Sequence, residues 1–480
     1  MAALFILVPV LVVVFLNLPH FRLGTRLALY LAGVACLAQG AAALLVPAAA
    51  WEGPGALPRW LDLPALLGTT FPVDALGRVV LLAIALVGLC AVLVARYARE
   101  DRQDAFRFGN LLLLAVAGMN GIVLARDLFV LYVFLEITAV ASLVLIVLER
   151  GRAAFEGAFK YMILSAVATA MLLAAVALLL IVSGGTSFEV VARGLHAAEG
   201  SRLALVAVAL FLCGLAIKAG VVPFHGWLPD AYTSAPPAVS VLLAGIVTKT
   251  TGVYTLVRLV DAVIGWAPAV RQALLALGML SIVVGALGAL AQRDLKRMLS
   301  YSSVSQVGYV VLGLGAGPGL GVAAAAFHLF NHAVFKTLLF VNAAAVEREA
   351  RTRDMEALGG LSSRMPVTGA TSVVAMLSTA GLPPFAGFWS KLLVVVAVWR
   401  AGHPLVAAAA VLLSVLTLAY LLAMQRRVFF GEPAPALAGV REAGGWALAP
   451  AVLLAAVTVA LGLAAPWLFH TFLLPVGSIL

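Results

Sequence analysis

Four lysines of this chain lie inside long apolar stretches, where burying a charged side chain is costly. They are Lys218, Lys249, Lys336 and Lys391. An arginine effectively never deprotonates, whereas a buried lysine gains and loses its proton readily. The arginines are predicted to lie outside these stretches, in the connections between them. We interpret this segregation as selection for titratable charge inside a membrane, and the chemistry that it indicates is proton transfer.

A single acid, Glu136, lies well within an apolar stretch. It follows Asp127 by nine residues, which places it about 13 Å along a helix and near the middle of a bilayer. A carboxylate at that depth is costly unless it is paired or protonated. A Glu136 carboxylate near the Lys218 amine would favour the charged amine, so separating the two would eject a proton. The alternatives are a packing ion pair without a transport role and, for Lys218, a side chain that reaches the membrane surface.

Lys249 lies in the middle of another apolar stretch, with Thr248, Thr250 and Thr251 beside it. The threonine hydroxyls can bind water, so this lysine fits the next step of a proton relay. The alternative is a structural lysine that is hydrogen-bonded to backbone carbonyls.

His328, His332 and Lys336 are spaced four residues apart, which puts all three on one stripe of a helix. Two histidines at this spacing can hold a metal ion, but the glutamate of the zinc-protease motif is absent between them. A buried histidine alone is usually a satisfied core residue, whereas two with a lysine on one stripe favour a hydrated proton path. We therefore predict no metal site here.

Helix-breaking residues accompany two of the lysines. Pro223 follows Lys218, and Pro383 and Pro384 precede Lys391. Proline removes a backbone hydrogen bond and clashes with the preceding turn, so both helices are predicted to break there. Freed carbonyls and water can then solvate the neighbouring lysine.

The two breaks have similar sequences, Pro-Phe-His-Gly-Trp at 223–227 and Pro-Phe-Ala-Gly-Phe-Trp at 384–389. They lie five predicted spans apart, so equivalent segments run in opposite directions. Broken helices at matching places in inverted halves mark the ion sites of many transporters. A chance similarity of the two segments is the alternative.

The elements that position these residues must be membrane helices. The chain is 64% hydrophobic and only 11% charged, whereas soluble domains carry about 25% charged residues. Its net charge of +10 is better explained by basic residues collecting on the cytoplasmic side of a membrane than by nucleic-acid binding. The composition predicts an all-α polytopic membrane protein.

About 20 mostly apolar residues are needed to cross the hydrocarbon core of a bilayer. The sequence predicts about fourteen membrane helices, of which the seventh and the twelfth are broken. They are predicted at 2–17, 26–48, 73–95, 109–125, 127–148, 158–182, 203–223, 236–259, 271–291, 302–316, 319–346, 367–398, 402–424 and 446–469. Most arginines in the connections fall on one side if the N-terminus is outside, so both termini are predicted on the outer side. The first stretch has no basic segment or cleavage site and is predicted to be a membrane helix.

Three segments together resemble a known family: residues 126–136, 218–232 and 293–309. Their sequences include Arg-Asp-Leu-Phe-Val-Leu-Tyr-Val-Phe-Leu-Glu, Lys-Ala-Gly-Val-Val-Pro-Phe-His-Gly-Trp and Arg-Asp-Leu-Lys-Arg-Met-Leu-Ser-Tyr. They are similar to the antiporter-like subunits shared by respiratory complex I, membrane-bound hydrogenases of the hydrogenase-4 type and Mrp-type sodium/proton antiporters. The resemblance covers roughly residues 70–430.

The resemblance implies fourteen helices with two inverted five-helix repeats. It divides the chain into helices 1–3 at 1–108, a first repeat at 109–260, an inverted second repeat at 261–425, and a C-terminal loop and helix at 426–480.

By matching motif, Glu136 and Lys218 resemble the charge pair of the family, and Lys249 resembles its central relay residue. His328 and His332 resemble the histidines of the connecting stretch, and Lys391 resembles the distal lysine. With Lys336, these residues form the predicted proton-transfer row.

The partners implied by the resemblance are homologous antiporter-like subunits and small membrane subunits, in the lipid bilayer of a prokaryotic cytoplasmic membrane. In redox-driven members, a peripheral electron-transfer module is a further partner. The sequences of residues 327–336 and 352–366 are most similar to those of subunits from hydrogenase-type and related complexes, and next to those of Mrp subunits. The chain ends soon after the last span, without the long lateral helix of the largest complex I and Mrp subunits.

No cofactor is expected in this chain, because it has neither a cysteine cluster for an iron–sulfur centre nor a dinucleotide-binding fingerprint. Three functions are left open. The first is a proton-translocating subunit of a redox-driven complex, which has no catalytic redox site of its own. The second is a subunit of a cation/proton antiporter without redox chemistry, although sodium prefers oxygen ligands and the row is mostly nitrogen. The third is a scaffold with inert buried charges.

Overall fold

The computed structural model of the chain describes residues 2–18, 27–46, 67, 70–98, 102–432 and 435–468. The prediction that the termini lie on the outer side depends partly on Arg22, Arg26 and Arg59, which lie outside these ranges. The described part is helical and contains no β-strand.

Seventeen helices carry labels here. They are α1 Leu4–Leu16, α2 Leu27–Leu45, α3 Ala75–Ala98, α4 Arg102–Leu124, α5 Leu128–Val147, α6 Arg152–Ser183, α7 Phe188–Ala197, α8 Arg202–Ala219, α9 Trp227–Ser234, α10 Pro237–Ile264, α11 Pro268–Leu290, α12 Leu295–Gly315, α13 Leu320–Ala350, α14 Pro366–Ala380, α15 Ala386–Arg400, α16 Pro404–Val428 and α17 Gly445–Leu468.

Eleven helical segments in the described ranges are long and apolar enough to cross a membrane. Each predicted span coincides with one helix or with a helix pair, and the polytopic helical class is confirmed. The short helix α7 was not predicted, because its ten residues mix apolar and charged side chains. It starts where the Ser187 hydroxyl accepts a hydrogen bond from the Val190 amide.

The prediction that arginines lie only in connections is wrong for Arg258. This residue lies within α10, and only 4% of its side chain is exposed. Burial is tolerated because its guanidinium contacts the Asp74 carboxylate at 2.7 Å. Arg78 also lies within a helix, α3, where it donates hydrogen bonds to the Ala43 and Leu44 carbonyls of α2.

Lys296 falls between the predicted spans 271–291 and 302–316, and its burial in a helix was not predicted. It is the second residue of α12, and only 2% of its side chain is exposed. The charges around it in sequence, Asp294 and Arg297, made the segment look like a loop. The first turn of α12 forms because the Asp294 side chain accepts a hydrogen bond from the Arg297 amide and caps the helix.

Both predicted helix breaks are confirmed. Helix α8 ends at Ala219, and Gly220 follows with φ +66°. Helix α14 ends at Ala380, and Gly381 follows with φ +87°. These backbone angles lie in the left-handed region, which glycine adopts without the penalty that a side chain brings. Each break also contains a cis peptide bond before proline.

Helix α10 contains three π-helical turns, at Leu243–Val247, Lys249–Tyr254 and Val260–Ile264. Such turns are rare and occur frequently at functional sites. The hydropathy pattern did not predict them. A π-helical turn moves each backbone hydrogen bond by one residue, and this leaves the hydropathy of the span unchanged. Lys249 begins the second of these turns.

The chain forms two compact units. Unit A comprises Met1–Leu89, Asp101–Ala219 and Val247–Trp266; unit B comprises Cys90–Glu100, Gly220–Ile246 and Ala267–Leu480. In unit B, α11 and α12 pack backbone to backbone, since a Cβ added at Gly285 would lie 2.4 Å from the Ser305 amide nitrogen. Such close approach through small residues is typical of helices that pack in membranes.

Candidate functional site

The predicted charge pair is present in unit A. The Lys218 ammonium donates a hydrogen bond to Oε1 of Glu136 at 3.1 Å, and the Thr169 hydroxyl donates to the same oxygen at 2.7 Å. The Lys218 side chain is 5% exposed, whereas Glu136 is 29% exposed. Thr169, on α6, was missed because a lone threonine in an apolar helix carries no signal in sequence.

The ends of two helices position this pair. Helix α5 begins after Asp127, whose side chain caps it by accepting hydrogen bonds from the Phe129 and Val130 amides. Glu136 therefore lies more than two turns into the helix. Lys218 is the penultimate residue of α8. The last carbonyls of a helix have no partner within the helix and carry partial negative charge, which favours an ammonium group there.

Lys249 is 1% exposed and lies on the π-helical part of α10. Gly252, in the same turn, packs directly against the end of α8, because an added Cβ would lie 2.3 Å from Cα of Ala219. This glycine lets the Lys249 turn approach the residue that follows Lys218. Of the predicted threonine water ligands, Thr251 donates its hydroxyl hydrogen to the Val247 carbonyl at 2.9 Å.

In unit B, His328, His332 and Lys336 all lie on helix α13. The rings of His328 and His332 are stacked with centroids 6.3 Å apart, and both side chains are buried. Nδ1 of His328 lies 2.9 Å from the Ser390 hydroxyl oxygen on α15. Ser390 precedes Lys391, so the stripe on α13 directly contacts the segment that carries the distal lysine.

Lys336 is fully buried and is hydrogen-bonded to α12. Its ammonium donates to the Ser302 hydroxyl at 2.7 Å and to the Leu299 carbonyl at 3.2 Å. The Ser302 hydroxyl in turn lies 2.8 Å from the Tyr420 hydroxyl. Lys336 is thus part of a polar cluster, although most of its neighbours along α13 are apolar.

Lys391 lies beside the second helix break. Its ammonium donates to the Ala380 carbonyl, the last residue of α14, at 3.4 Å, and lies 4.5 Å from the centre of the Tyr309 ring. A lysine over an aromatic face gains cation–π stabilisation. The Tyr309 ring is also 5.8 Å from the His328 ring. Lys391, Tyr309 and His328 therefore form one cluster.

Sequence reasoning missed Tyr309, Ser302 and Ser390 as members of this site. A signal was present for two of them, because the predicted span at 302–316 carries several hydroxyl groups along an otherwise apolar helix. Among the residues with described positions, no group of three or more His, Cys, Asp or Glu side chains lies close enough to hold a metal ion.

Two clusters of predicted site residues are therefore brought together. In unit A, Lys218 contacts Glu136, and the turn of Lys249 packs on the end of α8. In unit B, the His328 ring is stacked on His332 and lies near the Tyr309 ring, which also contacts Lys391. Lys336 lies two turns beyond His328 on the same helix. A continuous path joining all of these residues remains a prediction.

Residues 125–417 match a family model described as "NADH:quinone oxidoreductase/Mrp antiporter, TM". The chain is 36% identical over 443 residues to NADH-quinone oxidoreductase subunit N of Desulforudis audaxviator, covering 90% of this chain and 86% of the relative. It is 31% identical over 407 residues to a Na(+)/H(+) antiporter subunit of Alkalihalophilus pseudofirmus, covering 85% and 82%. A solved structure of the Mrp complex from Dietzia sp. DQ12-45-1b contains a chain with 29% identity and a TM-score of 0.86, covering 98% of this chain and 95% of that one.

Proposed function

The chain belongs to the NADH:quinone oxidoreductase/Mrp antiporter transmembrane family, and on that premise we propose that it is a proton-translocating membrane subunit of a multi-subunit, redox-driven ion pump. The protons move along Glu136, Lys218, Lys249, His328, His332, Lys336 and Lys391. Its partners are other antiporter-like and small membrane subunits, and a peripheral redox module supplies the energy. The fourteen membrane helices, the inverted repeats and the outer location of both termini belong to the same proposal.

The observation that carries the proposal is the contact between the Lys218 ammonium and the Glu136 carboxylate at 3.1 Å. The negative charge of Glu136 favours the charged form of the lysine, and the buried surroundings of Lys218 oppose it. A movement that separates the two groups removes the favourable contribution and leaves the cost of burial. The amine then releases its proton to the next acceptor, for which Lys249 is the nearest candidate along the chain.

The position of Lys218 supports a coupling role. It lies directly before the break at Gly220, and a broken helix can shift its end without unfolding a complete span. A helix end also supplies carbonyls that solvate the ammonium before the movement. The second break provides Lys391 with similar surroundings, because its ammonium bonds the terminal carbonyl of α14. We infer that both lysines act as switched proton carriers.

The proposal is tested by replacing Lys218 and Glu136, each with Ala, in the full complex in its own membrane. Both variants are expected to assemble and to lose coupled proton transport, measured in inverted membrane vesicles with a pH-sensitive dye. Lys160 and Glu156 on α6 form a matched control pair, with an exposed contact of 2.7 Å between the ammonium and the carboxylate. Their Ala variants should pump normally. Normal pumping by the Lys218 and Glu136 variants would overturn the proposal.

A second candidate is a subunit of a sodium/proton antiporter that uses no redox energy. It is favoured by the similarity to the Na(+)/H(+) antiporter subunit of Alkalihalophilus pseudofirmus and to a chain of the Mrp complex. The two candidates differ in their source of energy. Proton flux that requires sodium and proceeds in vesicles without an electron donor supports the antiporter, whereas flux that requires an electron donor supports the redox-driven pump.

A further inference from the structure

A second buried lysine–glutamate pair lies in unit B, outside the predicted row. The Lys296 ammonium, on α12, lies 3.6 Å from Oε2 of Glu347, on α13. Only 2% of the lysine side chain is exposed, whereas 25% of the glutamate side chain is. The pair thus joins a buried amine to a carboxylate that reaches the surface of the chain.

The Lys296 ammonium is bound in the same way as that of Lys391 in the predicted row, by a carbonyl at the end of a helix. The Lys296 ammonium donates to the Ala235 carbonyl at 2.7 Å, and Ala235 caps the carboxyl end of α9. Lys391 makes the same kind of contact with the last residue of α14. Both ammonium groups are therefore solvated by the negative end of a helix that terminates inside the protein.

The Glu347 carboxylate is only partly fixed. Its Oε1 accepts a hydrogen bond from Arg353 at 3.3 Å. Its Oε2 is buried and, within the described ranges, accepts no hydrogen bond. At 3.6 Å, the approach of Lys296 is too long for a hydrogen bond but short enough that one side-chain rotation would form one. This spacing suits a pair that transfers a proton and then separates.

A polar seam leads from this pair to the predicted row. Helices α12 and α13 are antiparallel along it, because Lys296 faces Glu347 at one end and Tyr309 faces His328 at the other. Between these ends, Lys336 is bonded to Ser302. Five side chains of α12 in this interval that carry a hydroxyl or amide group are buried: Ser300, Ser302, Ser303, Ser305 and Gln306.

We propose that Lys296 and Glu347 form a proton-loading pair that delivers protons along the seam to Lys336. The O–H bond of protonated Glu347 breaks and an N–H bond forms at the Lys296 amine, which leaves a carboxylate and an ammonium. The ammonium then passes its proton, through the serine hydroxyls and water, to the neutral Lys336 amine. Glu347 is reprotonated from the surface. The inference rests on the proposed function, because the delivered protons must be carried onward.

A purely structural ion pair is the competing explanation, since Lys296 also holds the end of α9. The test therefore compares Lys296→Arg, Lys296→Gln and Glu347→Gln in the full complex in inverted vesicles, supplied with the energy source to which wild-type vesicles respond. Arginine keeps the charge but does not release its proton. Proton transport per assembled complex is expected to fall about tenfold or more in all three variants, as for loss of a general acid or base.

The matched control is Arg297→Gln, which removes the neighbouring 2.5 Å ion pair with Asp230 and leaves Lys296 and Glu347 in place. Wild-type transport is expected for this variant. Wild-type transport by Lys296→Arg would overturn the inference, because a fixed positive charge would then be sufficient. If the glutamine variants fail to assemble, Lys296→Arg still decides. Normal pumping by Lys218→Ala would instead refute the proposed function, so the two failures are distinguishable.

Discussion

Tyr309, on α12, contacts both the lysine beside the second helix break and helix α16. Its ring lies under the Lys391 ammonium, and its hydroxyl donates to the Ala410 carbonyl at 2.8 Å and contacts Ser414. The ring and the hydroxyl therefore have separable roles. The ring stabilises the charged lysine, and the hydroxyl anchors the ring to α16.

Two variants of Tyr309 should separate these roles. Tyr309→Phe keeps the ring and is expected to transport protons at close to the wild-type rate. Tyr309→Leu removes a cation–π contact worth up to about 2 kcal/mol at a desolvated site, and slower transport is expected because Lys391 then holds its proton less well. Dye quenching in vesicles measures both. Equal rates for Leu and Phe would show that the ring does not act on Lys391.

The residue types of the site were readable from the sequence because an ionisable side chain inside an apolar stretch is costly and rarely accidental. Lys218, Lys249 and Lys391 were identified in this way, and each is buried. The burial of Lys296 was missed because neighbouring charges concealed it, and that of Arg258 was missed because the residue lies at the end of a predicted span. What compensates a buried charge is a contact from another helix, such as Glu347 or Asp74, and sequence spacing does not reveal it.

At the scale of elements, a cluster of ionic contacts joins three segments of unit A. The Asp74 carboxylate, just before α3, contacts Arg126 at 2.6 Å and Arg258 of α10 at 2.7 Å. Burial alone would raise the pKa of Asp74. The positive charges of Arg258 and Arg126 outweigh burial and hold this pKa below its ordinary value. The cluster thereby fixes the end of α10 relative to α3.

Replacing Asp74 with Asn should destabilise the chain, because two largely buried guanidinium groups lose their counter-charge. A loss of about 3 kcal/mol is expected, measured as lower thermal stability of the purified complex. The control is Asp104→Asn, which breaks more exposed contacts with Arg107 and Arg150 and should cost less than about 1 kcal/mol.

The same variant gives a prediction for pH. A carboxyl whose pKa is depressed in the folded state stabilises the fold above its unfolded pKa and ceases to do so as pH falls through the folded value. The difference in stability between wild type and Asp74→Asn should therefore be full at neutral pH and shrink in strong acid. A difference that persists unchanged in strong acid would contradict the role assigned to the charge.

The breaks in α8–α9 and α14–α15 were predictable because proline and glycine disrupt helices by local sterics. The π-helical turns of α10 were not, because they depend on packing. Gly252 must fit against Ala219, and that contact is visible only when α8 and α10 are placed in space. The positions of the helix breaks were thus predicted, whereas the π-helical turn that positions Lys249 was not.

At the scale of the whole molecule, the proposed count of fourteen spans predicts on which side each connection lies. Ala267, before α11, should face the outer side, and Glu432, after α16, should face the cytoplasm. Both residues are exposed in the structure. Cysteines introduced at these positions are expected to react with a membrane-impermeant maleimide from opposite sides, in intact cells for Ala267→Cys and in inverted vesicles for Glu432→Cys. Labelling of both from one side would show that the span count or orientation is wrong.

The most direct measurement of the central claim is proton pumping by the Lys218→Arg variant of the assembled complex. Arginine keeps a positive charge near Glu136 at the end of α8, but it does not release a proton. If Lys218 acts by gaining and losing a proton, the variant assembles in normal amounts and does not pump. If the variant pumps at the wild-type rate, the charge alone is sufficient and proton transfer through Lys218 is contradicted.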